Sequence, residues 1–266
     1  MIVGAQVDAA RRAAAGEVAK RLHLPLVEGE VAAAEGFDLA LVETGVRLEL
    51  RVLRGYPGDQ ALVGGHGVGC ELTQIDTTSG PGRSLSQPMV KAVGIKKREA
   101  YRPRVFDATA GLGEDAWLLA ALGCGVRACE RNPVTHALLV DGLKRAAEAR
   151  PEVAARVRVE LGDGVTVLER LAGEALEDRP DVVYLDPMFP TGRKTAERKA
   201  MRVLRLISGD DLDADRLLGA ALKVARRRVV VKRPLRGEAL RGAEPMVMHR
   251  GKSLRFDVYG VGCSGA

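Results

Sequence analysis

From residue 88 onward, short apolar runs alternate with stretches of helical periodicity. Residues 105–109 form an apolar strand that runs into a glycine turn, and 116–122 continue as a helix. A second strand at 126–129 leads to a helix over 134–149. A third at 157–161 precedes a helix over 165–171. A fourth strand spans 181–185, and a helix over 214–227 feeds a fifth at 228–231. Residues 246–249 and 254–259 read as an antiparallel pair about Gly251. Unbroken apolar strands belong in a sheet covered on both faces, and alternation with helices makes such a sheet mostly parallel. The pattern predicts an α/β fold with a mostly parallel seven-stranded sheet and a C-terminal antiparallel hairpin.

Residues 1–85 read differently. A helix over about 8–22 is followed by strands at 37–42 and 46–53, which flank a Glu43-Thr44-Gly45 turn. Gly-rich stretches follow at 64–69 and at 79–83, the second of them a linker or loop. The expected division is a small N-terminal α/β domain over 1–85 and the larger domain over 86–266.

Composition narrows the class. With 266 residues, 46% of them hydrophobic, the chain buries a sizeable core, and disorder is excluded. Aromatic residues make up only 3%, so that core is aliphatic. The net charge of +6 points to a polyanionic partner such as nucleic acid, although general arginine richness gives the same excess. The four cysteines form no C-x-x-C pair, which predicts free thiols in a reducing compartment and no metal site. No apolar run of membrane-spanning length and no signal sequence occur, so a cytoplasmic protein without membrane contact is expected.

The candidate chemistry lies at the strand ends. Asp107-Ala108-Thr109-Ala110-Gly111-Leu112-Gly113 ends the first strand of the large domain. Glycines there let a ligand approach the backbone, and the next helix offers its N-terminal amides. Only Gly111 and Gly113 are present, not the three glycines of a dinucleotide fingerprint. Glu130 ends the second strand, positioned to accept from ribose hydroxyls, and Asp163 and Gly164 follow the third, positioned for an adenine amino group. Asp107, Glu130, Asp163 and Asp186 thus gather on one edge. An acidic rim favours the cationic sulfonium of S-adenosyl-L-methionine and repels a pyrophosphate, which favours a methyltransferase over a nicotinamide enzyme.

Asp186-Pro187-Met188-Phe189-Pro190 follows the fourth strand and resembles the [Asp/Asn]-Pro-Pro-[Phe/Tyr/Trp] motif of amino-group methyltransferases, with Met188 at the second proline. An exocyclic base amine is a poor nucleophile because its lone pair is delocalised. A carboxylate and a backbone carbonyl that accept its two hydrogens turn the lone pair toward the methyl group. Asp186 is the expected acceptor, Pro187 the source of the carbonyl, and Phe189 the stacking platform. Arg193, Lys194, Arg198, Lys199, Arg202 and Arg205 follow, against the single acid Glu197. They suit phosphate contacts, and Lys232 and Arg233, with 96–98, extend the patch.

These stretches, with 91–96, Asp141-Gly142-Leu143, 201–203, 211–215, 229–234 and 255–259, are similar to those of the bacterial 16S ribosomal RNA guanine-N2 methyltransferases called RsmJ. The resemblance covers about residues 85–260, and D-P-M-F-P is its most specific part. It departs at Asp163-Gly164, where the family often carries two serines. It implies a Rossmann-like class I methyltransferase that methylates guanine N2 in 16S rRNA or the small ribosomal subunit. The donor would be S-adenosyl-L-methionine and the product S-adenosyl-L-homocysteine. Its cofactor positions fall on Glu114, Asp115, Glu130, Arg131, Asp163, Gly164 and Asp186. Methylation of adenine in RNA or DNA, or a non-catalytic RNA-binding or ribosome-assembly role, stay open beside this reading, and the oligomeric state is not legible.

Overall fold

Valine-rich segments supply the inner strands of the fold, and glycine turns deliver the chain from the strands at Val105–Asp107 and Val157–Leu161 into the helices that follow them. The computed structural model describes residues 1–5, 9–28, 37–54, 62–64, 66–77, 87–96, 99–189, 198–211 and 213–261. The chain begins with β1 (Ile2–Ala5), α1 (Ala9–Leu22), β2 (Leu26–Glu28), β3 (Leu39–Glu43), β4 (Leu48–Val52) and α2 (Pro88–Val93). Next come β5 (Val105–Asp107), α3 (Glu114–Ala121), β6 (Val126–Glu130), α4 (Pro133–Ala149), α5 (Pro151–Ala154), β7 (Val157–Leu161), α6 (Gly164–Leu171) and β8 (Val182–Leu185). The last elements are α7 (Lys199–Ser208), α8 (Ala214–Val224), β9 (Arg228–Pro234), β10 (Val247–Arg250) and β11 (Leu254–Gly260).

Two compact units are built from this chain. One comprises residues 1–71, 132–145 and 191–209, and the other 72–131, 146–190 and 210–266. The boundary expected near residue 85, and the 79–83 linker, lie outside the described residues. The first unit holds a four-stranded sheet in the order β2-β1-β3-β4. The β3–β4 hairpin is the one anticipated. The backbone N–H of Thr44 donates to the Arg47 carbonyl at 3.1 Å, and Gly45 takes a φ of +81°.

The second unit holds a seven-stranded sheet, β10-β11-β9-β8-β5-β6-β7, parallel except where β11 pairs antiparallel with both β9 and β10. This is the expected class I methyltransferase architecture. The inner strands are buried on both faces: all four residues of β8, and Val229, Val230 and Val231 of β9. Val183, Leu185, Val229 and Val231 point to one face, against Leu168 and Leu171 of α6 and Leu218 and Ala221 of α8. β9 runs three residues beyond the expected 231 because β11 continues to pair with it as far as Pro234. α8 stops at Val224 rather than 227, where Ala225 turns to an extended conformation. Among the described residues no helix is long and apolar enough to cross a membrane.

Candidate active site

Sheet order reverses between β5 and β8. From β5 the chain adds β6 and β7 on one side, then returns to β8 on the other. Crevices at such a reversal, beyond the carboxyl ends of the strands, are where open α/β sheets bind ligands. Asp107 ends β5, Glu130 ends β6, Asp163 follows β7 and Asp186 follows β8. All four acids therefore lie along one sheet edge, as the sequence predicts.

Depth distinguishes them. Asp107 is 2% exposed and sits beneath the turn, its Oδ1 accepting the Thr109 N–H at 3.0 Å. Burial, together with the nearby Asp115 and Asp186 carboxylates, pushes its pKa up to about 8 against the opposing Thr109 bond. Gly111 (φ +54°) and Gly113 (φ +74°) carry the turn through the left-handed region, which costs little without a Cβ. Gly113 caps α3, whose first turn presents Glu114 and Asp115, and so α3 starts two residues earlier than the apolar pattern indicates. Glu130 Oε2 accepts the Gly111 N–H at 2.9 Å, tying β6 to the turn. Asp163 caps α6, its Oδ1 accepting from the Thr166 N–H at 2.9 Å and from the Thr166 hydroxyl at 3.1 Å. A Cβ on Gly164 would lie 2.7 Å from the Ala108 carbonyl oxygen, so only glycine lets α6 start this close to the β5 loop.

The raised Asp107 pKa sets a pH dependence. An unfolded aspartate ionises near 3.9, so between about pH 4 and 8 the folded chain holds one proton more at this site than the unfolded chain. Its contribution to stability therefore declines as pH rises through that window. Asp107→Asn has no carboxylate to bury. Its melting temperature relative to wild type is expected to rise between pH 5 and pH 8 in thermal scans without cofactor. An offset that does not change with pH refutes the assignment.

The second half of the site is the loop after β8. The Asp186 N–H donates to the Thr109 hydroxyl at 2.6 Å, joining this loop to the β5 turn. The Asp186 carboxylate accepts from Lys232 Nζ at 2.9 Å. Lys232 also donates to Asp115 Oδ2 at 2.8 Å, and the Tyr184 hydroxyl donates to the same oxygen at 2.6 Å. Burial alone would lower the Lys232 pKa, but Asp186 and Asp115 hold it above the ordinary lysine value. Pro187 is buried. Met188 is clamped by Asp211: its N–H donates to Asp211 Oδ2 at 2.6 Å, and its carbonyl accepts the Asp211 N–H at 2.9 Å. The Arg233 guanidinium lies 3.7 Å from the centre of the Phe189 ring.

Three of the predicted cations have partners within the protein. Arg131, expected at the cofactor, is ion-paired with Asp211 and, at 3.5 Å, with Asp213, so it braces the Met188 clamp. Lys232 and Arg233, expected to meet RNA phosphates, both turn inward. Successive strand residues point to opposite faces, so Lys232 reaches the α3 side and Arg233 the Phe189 side. Arg233 is 6% exposed and donates to the Glu238 carbonyl. Of the remaining proposed phosphate contacts, Arg193 and Lys194 lie outside the described residues. Arg198, Lys199 and Arg202 sit at the start of α7, in the other unit. Lys199 Nζ there donates to the carbonyls of His66 at 3.0 Å and Gly64 at 3.4 Å.

Thr109, Tyr184 and Asp211 were missed by sequence reasoning. Tyr184 carried a usable signal, because a phenol inside an otherwise aliphatic strand needs a buried acceptor. Asp211 is distant in sequence from the two residues it holds, Met188 and Arg131.

A family model described as "Putative SAM-dependent methyltransferase" matches residues 39–261. The ribosomal RNA small subunit methyltransferase J of Stutzerimonas stutzeri is 44% identical over 250 residues, covering 93% of this chain and 90% of that protein. The chain belongs to the ribosomal RNA small subunit methyltransferase J family. The family member from Aeromonas hydrophila is 48% identical over 225 residues, covering 84% of this chain and 86% of its own. A crystal structure of a SAM-dependent methyltransferase from Neisseria gonorrhoeae superposes with a TM-score of 0.69 at 31% identity, covering 99% and 97% of the two chains.

The chain is thus an S-adenosylmethionine-dependent methyltransferase, and the site's chemistry fits that cofactor. A molecule with a cationic sulfur, two ribose hydroxyls and an amine calls for acceptors, and carboxylates close three adjacent strands of this methyltransferase. The backbone at Gly111 is open as well: a Cβ placed there would meet nothing within 4 Å. Asp115, Lys232 and Asp186 together carry one net negative charge facing this region, which suits a cation.

Proposed function

We propose that this methyltransferase modifies the exocyclic N2 amine of a guanosine in small-subunit (16S) ribosomal RNA, in the cytoplasm. The observation that carries the reading is the anchoring of the Asp186–Phe189 loop. The Asp186 amide is held by Thr109, its carboxylate by Lys232, and Met188 by Asp211. A loop fixed at three points can orient an amine without reorganising as charge develops. The names of the family members, which specify small-subunit rRNA, supply the substrate class.

In this mechanism the Asp186 carboxylate and the Pro187 carbonyl accept the two amine hydrogens and aim the nitrogen lone pair. Phe189, braced by Arg233, stacks on the base. The methylated nitrogen is acidic enough to release its proton to water, so Asp186 need not be a strong base. When bound, S-adenosylmethionine supplies an electrophilic methyl group. Glu130 would accept from its ribose hydroxyls, and Asp163 with Gly164 would receive its adenine. Gly111, Gly113 and Glu114 would offer backbone at the head of α3. Asp115 and Asp186 would face the sulfonium, and Asp107 would support the turn from beneath. Arg193, Lys194, Arg198, Lys199 and Arg202 are assigned to RNA phosphates.

The test is transfer of a labelled methyl group to small ribosomal subunits and to free 16S rRNA, followed by nucleoside analysis. Label in N2-methylguanosine is expected. Label in N6-methyladenosine would move the activity to adenine. RNA binding without cofactor binding or transfer would make the chain a binding protein.

A further inference from the structure

We propose that Lys232 is a positioning residue of the methyl-transfer site: its ammonium holds the Asp186 carboxylate in one orientation and locks it to Asp115 on the cofactor side. The inference rests on the reading of Asp186 as acceptor for the substrate amine, and it assigns Lys232 a role other than RNA contact.

The geometry is specific. Lys232 Nζ lies 2.9 Å from Asp186 Oδ2 and 2.8 Å from Asp115 Oδ2, so one ammonium bridges two carboxylates from different elements. Its side chain is only 20% exposed, and those of Asp115 and Asp186 are 24% and 35% exposed. The Tyr184 hydroxyl fixes the same Asp115 oxygen from β8. The strands dictate the meeting. Tyr184 and Asp186 are two residues apart and share a face, and Lys232 on the adjacent β9 points to that face as well. A long, flexible side chain has its ammonium committed to two carboxylates, which a solvated phosphate contact would not require.

Charge explains why a cation is needed. The ionisable groups facing the bridge are Asp107 from β5, Asp115 from α3, Tyr184 and Asp186 from β8 and its following loop, and Asp211 beyond the clamp. All of them are acids. At neutral pH Asp107 and Tyr184 hold their protons and Asp211 is paired with Arg131, so without Lys232 the buried Asp186 carboxylate is left beside Asp115 with no cation of its own, and burial and Asp115 drive it to take up a proton. A protonated Asp186 presents a donor where the amine needs an acceptor. Lys232 thereby keeps the loop competent at neutral pH without touching the substrate.

The test compares wild type with Lys232→Met and Lys232→Arg. In wild type, burial raises the Asp186 pKa and Lys232 opposes it, so the single-turnover rate on small ribosomal subunits should fall on acidification along a single limb. Lys232→Met should lose roughly tenfold to a hundredfold at pH 7 and regain part of this at higher pH, its acid limb shifted up by about one unit or more. Lys232→Arg keeps the charge and should restore most of the wild-type profile. A purely structural role would lower the rate equally at every pH. In parallel, carbon NMR of selectively labelled aspartate follows the carboxyl resonance that disappears in Asp186→Asn. That resonance should titrate about one unit or more higher in Lys232→Met than in wild type, with no RNA required. Unchanged titration in a folded Lys232→Met chain overturns the proposal even if wild type is fully active. Absence of transfer by wild type with the titration shift intact would refute the substrate reading and leave the Lys232 linkage standing.

Discussion

Asp186→Ala should lower the single-turnover rate of methyl transfer about 10²- to 10³-fold while changing cofactor affinity no more than a few fold. The rate effect follows from removing a pre-oriented acceptor at the reacting nitrogen, a loss of that order for one fixed hydrogen-bonding group in a closed site. Cofactor affinity is less affected than turnover: the charge facing the sulfonium is reduced, but Glu130 and the Gly111–Gly113 turn are untouched and Lys232 keeps Asp115 as a partner. The backbone anchor to Thr109 also survives, since it uses the Asp186 amide and not the side chain. Asp186→Asn offers one neutral oxygen and should fall between the two. Rapid-quench assays with labelled donor, paired with calorimetry for cofactor binding, separate the effects. Near wild-type turnover in the alanine variant would remove Asp186 from the chemistry.

Glu130→Ala should act on the opposite quantity. Its carboxylate closes β6 at the mouth of the crevice, 8% exposed, with Oε2 on the Gly111 amide. Losing it strands that amide and takes away the acceptor assigned to the ribose hydroxyls. Hydrogen bonds to charged groups contribute about 1.5–3 kcal/mol each, so cofactor affinity is expected to weaken roughly tenfold to a hundredfold. Glu130→Gln retains a neutral acceptor for Gly111 and should lose less. Rates at saturating cofactor should change little in either variant. Calorimetric titration decides: affinity equal to wild type in Glu130→Ala would place the ribose elsewhere.

The strand-end acids were legible in the sequence because each follows an apolar run of strand length, and parallel order forces such ends onto one edge. Asp107, Glu130, Asp163 and Asp186 all fall there. The D-P-M-F loop was legible for the same reason. What the sequence concealed is direction and depth. Lys232 and Arg233 read as a pair of like charges, yet strand alternation sends them to opposite faces, one to a carboxylate pair and the other to an aromatic ring. Continuing the period of two from Val229 would have flagged both as inward. Arg131 follows Glu130 directly and was given the same role. Its partner Asp211 is eighty positions away, and only tertiary closure brings them together. Asp107 shows the limit of counting acids: its position was right, but burial makes it a support for the turn rather than part of a charged rim.

Thr109 joins two functions in one side chain. Its amide is committed to Asp107 and its hydroxyl to the backbone of Asp186, so the loop proposed to meet the donor and the loop proposed to meet the nucleobase share a hinge pin. If one ligand, through that pin, changes the other's dissociation constant, reciprocity obliges the second to change the first's by an equal factor, whichever arrives first.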